Sequence, residues 1–379
     1  MTDSSRVGLV LAASFAAAAI SSAYLPLWFA DRGLSASEIG LVLGASSLLR
    51  VVGAPGGGWA ADVFGRRLVL SIAAAVAAAA TVSLPGLSGV GPLLAATALL
   101  GLAASLLSPL IDAATLALAA AGRLEYAPTR AWGSVSYMLA TATAGAVLAR
   151  TGTVVVPWVL AAGFALAAAG SLFLPDVTRV AARASGSIAG VFRNRAFVLS
   201  LIATALIQGS HAAYYSFAPL HWRAAGLTDT AIGLLIAEGI VAEIALFLWG
   251  RRLVTRLGAA RLTSLAASAC IVRWTALAFV TDWRALAMLQ FLHAATFAFQ
   301  HLATMMVLAR LPPGCAGMAQ TVMSAIGFSA ATGVLVWVTG QVYAGWGGLA
   351  FLPMALAGGA ALFTVRPLRR VLARQVNMS

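Results

Sequence analysis

The sequence predicts an all-α integral membrane protein: twelve transmembrane helices in two six-helix bundles related by a pseudo-twofold axis along the membrane normal. Three observations support this. Of the 379 residues, 61% are hydrophobic and only 9% charged, with a mean hydropathy of +0.94, more apolar side chain than a soluble globule of this length can enclose. The apolar residues fall into twelve runs, most of them near the roughly 20 residues a bilayer requires. The chain also matches itself at a fixed offset of 193 positions.

In chain order the runs are 7–29, 38–61, 68–86, 92–120, 131–149 and 153–174, then 197–219, 230–249, 259–280, 284–309, 317–343 and 347–365. The first is long for a signal peptide and is expected to remain as an uncleaved span. All 24 basic residues are arginine. With the amino terminus cytoplasmic, one side of the membrane collects seventeen of them, from Arg6 and Arg66 to Arg374, and the other only Arg32, Arg150, Arg223 and Arg284. That bias places both termini in the cytoplasm and makes the net charge of +13 a matter of topology, with no nucleic-acid partner implied. Cys270 lies within a span and Cys315 in a cytoplasmic turn, so neither a disulfide nor redox chemistry is indicated.

The longest polar interruption runs from Pro175 to Arg195. It divides the chain into an N-terminal six-span bundle at 1–175, a cytoplasmic linker at 176–195 and a C-terminal six-span bundle at 196–379. The offset of 193 carries Pro26 and Leu27 onto Pro219 and Leu220, Gly33 and Leu34 onto Gly226 and Leu227, Ile39-Gly40-Leu41 onto Ile232-Gly233-Leu234, Gly57 onto Gly250 and Gly65 onto Gly258. An even number of spans separates the copies, so both halves share one orientation across the membrane.

Between the second and third runs stands Gly58-Trp59-Ala60-Ala61-Asp62-Val63-Phe64-Gly65-Arg66-Arg67. A tight turn of this composition belongs at the cytoplasmic surface, and Asp62 is expected to accept free backbone N–H groups of the next helix. The stretch resembles the loop 2–3 signature of major facilitator superfamily transporters, GxLaDrxGrkxxl, with Gly58, Asp62, Gly65, Arg66, Arg67 and Leu70 in register. The resemblance implies a gating element. The second copy has Thr255 where Asp62 stands.

Ionisable groups inside hydrocarbon are penalised by about 2.5–3.5 kcal/mol each, so each requires a reason. At 1.5 Å per residue Arg50 lies roughly 18 Å into its span, Glu243 roughly 20 Å, Arg273 roughly 21 Å and His293 roughly 14 Å, all near the middle of a roughly 30 Å core. Arg50 and Glu243 occupy equivalent repeat positions. Glu243 and Arg273 can form a buried structural pair. Arg50 would still leave one positive charge over, the complement of a monoanionic substrate that a guanidinium grips with two parallel hydrogen bonds. Asp112 and Arg130 form either a pair that opens and closes with the first bundle or a static one. His293 can carry a proton or donate to substrate. On an ideal helix His293 and His301 are about 80° apart, and no metal-site spacing is present. Gln208, His211, Tyr214, Tyr215 and Gln320 add polar and aromatic groups able to line a cavity.

The strings SPLIDAATLAL, EYAPTRAWGSVSYMLA, AEGIVAEIALF, VRWTALA and LQFLHAATFAFQ resemble those of the phenylpropionate permease group, relatives of the lactose-permease type of facilitator. The correspondence falls on Asp112, Arg130 with Trp132-Gly133-Ser134, Ala242-Glu243-Ile244, Arg273-Trp274, and Leu292-His293 with Thr296-Phe297. Two departures stand out: SPLID is one proline short, and Ser136-Tyr137 replaces Gly-Phe after WGS. The resemblance implies a proton-coupled uptake carrier for 3-phenylpropionate-like aromatic acids.

The expected function is therefore a secondary transporter, a symporter of a proton with a small organic anion, in a bacterial inner membrane and active as a monomer without cofactor or metal. Arg50, Arg273, Tyr214, Gln208, His293 and Gln320 are the substrate-binding candidates, Glu243, Asp112 and His293 the proton-coupling ones, and Gly58, Asp62, Gly65, Arg66, Arg67 and Arg130 the gating ones. The alternatives are a proton-driven exporter of drugs or metabolites, or a sugar or nucleoside symporter on the same fold. No GxSxG, HExxH, Walker or GxGxxG element points to an enzyme.

Overall fold

The computed structural model describes residues 2–175, 188–312 and 315–376. Positions 176–187 of the expected linker, with Arg179 and Arg183, lie outside the described residues. The helices of the first half are α1 (Asp3–Asp31), α2 (Ala36–Phe64), α3 (Arg66–Ser83), α4 (Val90–Ala120), α5 (Tyr126–Thr151) and α6 (Val156–Ser171). A short helix, Ile188–Arg193, precedes α7, which runs Arg195–Gly209, pauses at Ser210 and resumes as His211–Ala224. Then come α8 (Asp229–Trp249), α9 (Arg251–Phe279) and α10, built of Trp283–Gln290, a π-turn at Ala294–Ala298 and Phe299–Leu308. In α11 a second π-turn, Met323–Ala330, joins Ala316–Val322 to Ala331–Trp346, and α12 is Leu352–Val376.

Each of the twelve runs in the sequence is one of these helices. Among the described residues, ten stretches are long and apolar enough on their own to cross a membrane. The last of them, Gly317–Arg374, holds both α11 and α12, and α5 completes the set. Beyond residue 365 α12 continues as an amphipathic helix. Leu368 and Leu372 are packed inward, while Arg366, Arg369, Arg370 and Arg374 are exposed.

The sequence repeat is a repeat of backbone events. Gly33 (φ 85°) and Gly226 (φ 92°) end α1 and α7 in the left-handed region, where only glycine is unstrained. Two residues later Ser35 caps α2 through the Glu38 amide, with the Glu38 carboxylate returning to Ser35 N, and its counterpart Thr228 accepts from Ala231 N at the start of α8. Gly65 (φ 91°) breaks α2 from α3, and Gly258 (φ 72°) puts the same break inside α9.

One expectation about the signature turn is corrected here. Helix α2 extends to Phe64, so Gly58 and Asp62 sit within its last two turns, and the break is confined to Gly65. Asp62 is exposed and α3 has no side-chain cap. Arg67 is exposed and Arg66 partly buried.

The chain divides into two compact units, Met1–Ala181 with Trp222–Ala237, and Ala182–His221 with Glu238–Ser379. In the first, α1 packs on α5 and α6, α3 on α4 and α6, and α2 on α4. In the second the equivalent neighbours recur: α7 on α11 and α12, and α9 on α10 and α12. Small residues set the α2–α4 distance, because a Cβ at Gly53 would strike Ser105 and one at Gly101 would strike Ser46.

Within the first unit Arg223 is clamped by two carboxylates. It donates to Asp229 through Nε (2.9 Å) and Nη2 (2.8 Å), and to Asp31 through Nη1 (3.1 and 3.2 Å). Thr153 Oγ1 donates to the same Asp31 at 2.6 Å. Nearby, Tyr24 donates to Thr141 O at 2.6 Å, and a Cβ on Gly233 would come within 2.7 Å of that oxygen. Arg223→Gln is expected to weaken the hold on Trp222–Ala237 by about 1 kcal/mol. Hydrogen–deuterium exchange should show faster exchange there and no change in α3 or α6.

Candidate functional site

The second unit encloses Arg273 completely. A buried cation persists only if its environment replaces water, and here the replacement is specific. The guanidinium lies 4.4 Å from the Tyr214 ring centroid and 4.7 Å from that of Trp274. Nη2 donates to Gln290 Oε1 (3.1 Å), and Nη1 to Thr296 Oγ1 (3.1 Å) and His293 Nδ1 (3.0 Å). Tyr214 in turn donates to Gln290 Oε1 at 2.9 Å, and Trp274 Nε1 to Ser210 Oγ at 2.8 Å, at the pause in α7.

Arginine has donors only, so His293 Nδ1 must accept. The ring is then neutral and carries its proton on Nε2. That nitrogen lies 3.4 Å from Glu243 Oε2 and 3.5 Å from the Tyr215 hydroxyl. Glu243 and Arg273 are thus joined through a neutral imidazole, where the sequence had left a buried pair of the two as one alternative. Their order across the seam is Arg273, His293, Glu243, and only Glu243, with 19% of its side chain accessible, reaches the edge.

The π-turn explains a second correction. Its wider winding turns fewer degrees per residue, so the 80° separation of His293 and His301 is removed. His293 stacks on Phe297 at 12° (5.5 Å), and Phe297 on His301 at 4° (6.3 Å). This stripe on α10 meets a stripe on α8: Gly239 is closed by His293, Glu243 pairs with it, and Phe247 contacts the edge of His301. Glu243 lies roughly 140–180° round α8 from the exposed apolar residues Leu234, Val241 and Leu248. The exposed Phe247, four residues on, lies on the same side of α8 as Glu243.

In the first unit Arg50 is exposed and has no ion-pair partner among the described residues. Arg50 lies at the shoulder of the α2–α4 seam, roughly 140–180° round the helix from exposed Leu48, Val52, Trp59 and Val63, with exposed Phe64 on its own side. Asp112 and Arg130 do form a pair, with Nε to Oδ1 at 2.9 Å, and the guanidinium covers the Phe15 ring at 4.4 Å.

Other candidates are redistributed. Tyr214 and Gln208 are buried, and Gln208 Nε2 donates to the backbone oxygen of Phe297 at 3.0 Å. These two are enclosed, as is Arg273. Gln320 is exposed at the start of α11. Gln290 was missed in the sequence and Thr296 stood only in a family-like string without a role, although their spacing of three on either side of His293 puts them beside it on one helix. His211 is more central than its neighbours in sequence suggest. Its Nδ1 reaches Ile207 O (3.0 Å), its Nε2 reaches Thr296 Oγ1 (3.1 Å), and its ring packs against Tyr215, Trp274, His293 and Phe297.

Comparison with known proteins agrees with this architecture. The model of the MFS_1 like family matches residues 7–352. The probable 3-phenylpropionic acid transporter of Escherichia coli (strain K12) is 29% identical over 357 residues, covering 90% of this chain and 91% of that one. Among solved structures, the nucleoside transporter NupG superimposes with a TM-score of 0.79 at 16% identity, covering 98% of this chain and 99% of NupG. A D-xylose-proton symporter does so with a TM-score of 0.72 at 17% identity, covering 96% and 95%. The chain belongs to the MFS_1 like family and is a multi-pass secondary transporter of the major facilitator type, not an enzyme.

Proposed function

We propose that the protein is a proton-coupled importer of a small aromatic monocarboxylate, acting as a monomer in a bacterial inner membrane with both termini cytoplasmic. The observation that carries this reading is the Arg273–His293–Glu243 chain. His293 is enclosed, and its Nδ1 lone pair is held by a permanent cation, so adding a proton there would set two donors against each other. Glu243 is the group left to titrate. With the proton on, it is neutral and the imidazole keeps its tautomer; with the proton off, it is an anion 3.4 Å from an N–H donor.

The anion is assigned to Arg50, the exposed cation at the equivalent repeat position of the other unit. A guanidinium holds a carboxylate by paired charge-assisted hydrogen bonds worth roughly 1.5–3 kcal/mol. The aromatic class rests on the likeness to the transporter named for 3-phenylpropionic acid. The gating assignments of Asp62, Arg66, Arg67 and the Asp112–Arg130 pair belong to the same reading.

The test is uptake of labelled 3-phenylpropionate into proteoliposomes with an alkaline interior, timed before passive entry of the undissociated acid as seen in protein-free vesicles. Wild-type protein should import faster than those vesicles, and the rate should collapse when the gradient is dissipated. Arg50→Ala should raise KM about 10- to 100-fold with a smaller effect on kcat. Gradient-independent import, or an unchanged KM in Arg50→Ala, would contradict the assignment.

A further inference from the structure

We propose that Gln208 is a positioning residue for the proton site: its amide holds the π-turn of α10 and so fixes His293 against both Arg273 and Glu243. The inference rests on the proton assignment above.

The stripe that makes the site is a product of the π-turn. With ordinary winding, His293 and His301 would diverge, and Phe297 could not lie nearly parallel to both. A π-turn is less favourable than α-helix and is found mostly where something requires it. Within it Ala294 O accepts from Phe299 N, five residues on. The backbone oxygen of Phe297, inside the same turn, receives the Gln208 side-chain amide at 3.0 Å. Gln208 is itself buried, on α7, two residues before the pause at Ser210. Its Nε2 donates to the turn, while its Oε1 is buried without a hydrogen-bond partner among the described residues, so the bond to Phe297 O is the polar contact that offsets burying this amide.

One helical turn before Gln208, Thr204 provides a neighbouring contact of different consequence. It bonds Gln300 Nε2 (3.0 Å) and Thr304 Oγ1 (2.9 Å), joining α7 to the regular part of α10 beyond the turn. The two residues thus separate the fastening of the helix from the fastening of its irregular turn. His293 directly precedes the π-turn, so a change in winding alters the direction of its ring, and with it the approach of Nε2 to Glu243. Loosening Gln208 should change the proton affinity of Glu243 more than it changes the ability to move substrate.

The experiment compares Gln208→Met, which keeps the length but removes the donor, with Thr204→Val, in full-length protein reconstituted in vesicles. For each, the pH profile of 3-phenylpropionate uptake and substrate exchange at equal pH are measured, with thermal stability of the purified protein. Gln208→Met is expected to shift the midpoint of the pH profile by about half a unit or more while exchange stays within about threefold of wild type. Thr204→Val should leave the midpoint in place. If Gln208→Met proves unstable, Gln208→Glu keeps the shape, sets an acceptor against the Phe297 oxygen and should shift the same midpoint. An unshifted midpoint in both Gln208 variants, or equal shifts in Gln208→Met and Thr204→Val, would overturn the inference. Glu243→Gln in parallel separates the two levels. If that change leaves gradient-driven uptake intact, the proton assignment fails; if it abolishes such uptake while the Gln208 variants keep the wild-type midpoint, only the role of Gln208 fails.

Discussion

Glu243→Gln is expected to abolish proton-driven import while leaving exchange of labelled for unlabelled substrate within about threefold of wild type. Glutamine has the shape and neutrality of the protonated acid, so the variant should behave as a carrier fixed in its loaded form. His293 Nε2 can still donate to the amide oxygen, which preserves the Arg273–His293 arrangement behind it. A gradient of one pH unit supplies about 1.4 kcal/mol per proton, enough for roughly tenfold accumulation of a monoanion carried with one proton. Passive entry of the undissociated acid tends toward the same ratio. The informative quantity is therefore the initial rate above that of protein-free vesicles, which should vanish in Glu243→Gln and persist in Glu243→Asp at reduced value.

Arg273→Met should have the largest effect of any single change at the site. It removes an enclosed cation and leaves Gln290 Oε1, Thr296 Oγ1 and His293 Nδ1 without the donor they share. Breaking a buried charged network in this way destabilises by about 3–5 kcal/mol. The chemical consequence is more specific. Without Arg273, the imidazole can accept a proton at Nδ1 and become a cation beside Glu243, which would hold the carboxylate charged over a wider pH range. Both import and its pH dependence should be lost in protein that still reaches the membrane. Arg273→Lys should not restore them, because one ammonium cannot reproduce the forked contacts to Gln290 and to the His293–Thr296 pair. Thermal unfolding of the purified variant and import across pH 5–8 check the two parts separately.

Much of this could be read before any coordinates. Apolar run length located all twelve helices, because a bilayer imposes a single length on every span. The offset of 193 anticipated paired backbone events at Gly33 and Gly226 and at Gly65 and Gly258, since a left-handed turn restricts residue choice more tightly than a helix does. Charge at depth pointed to Arg50, Glu243, Arg273 and His293 for the same reason. What the sequence did not reveal was direction and winding. A regular 3.6-residue helix leaves His293 and His301 on different faces, and nothing in LHAATFAFQ announces a π-turn. Nor does a residue's cost in hydrocarbon say whether it faces substrate or supports another side chain. Arg273, Tyr214 and Gln208 are all enclosed in this structure: Arg273 bonds His293 and Gln290, Tyr214 bonds Gln290, and Gln208 bonds the Phe297 backbone oxygen. Helix α2 runs three residues past the predicted end of its run at 61, enough to put Asp62 at the end of α2 and not at the start of α3.

Infrared difference spectroscopy of the carboxyl C=O stretch, recorded as purified protein is titrated with acid, reads the protonation of Glu243 most directly. A protonated-carboxyl band is expected that grows on acidification, disappears in Glu243→Gln and changes its midpoint when 3-phenylpropionate is added. A band of unchanged intensity and midpoint in Glu243→Gln would place the proton elsewhere and contradict the role given to the Arg273–His293–Glu243 chain.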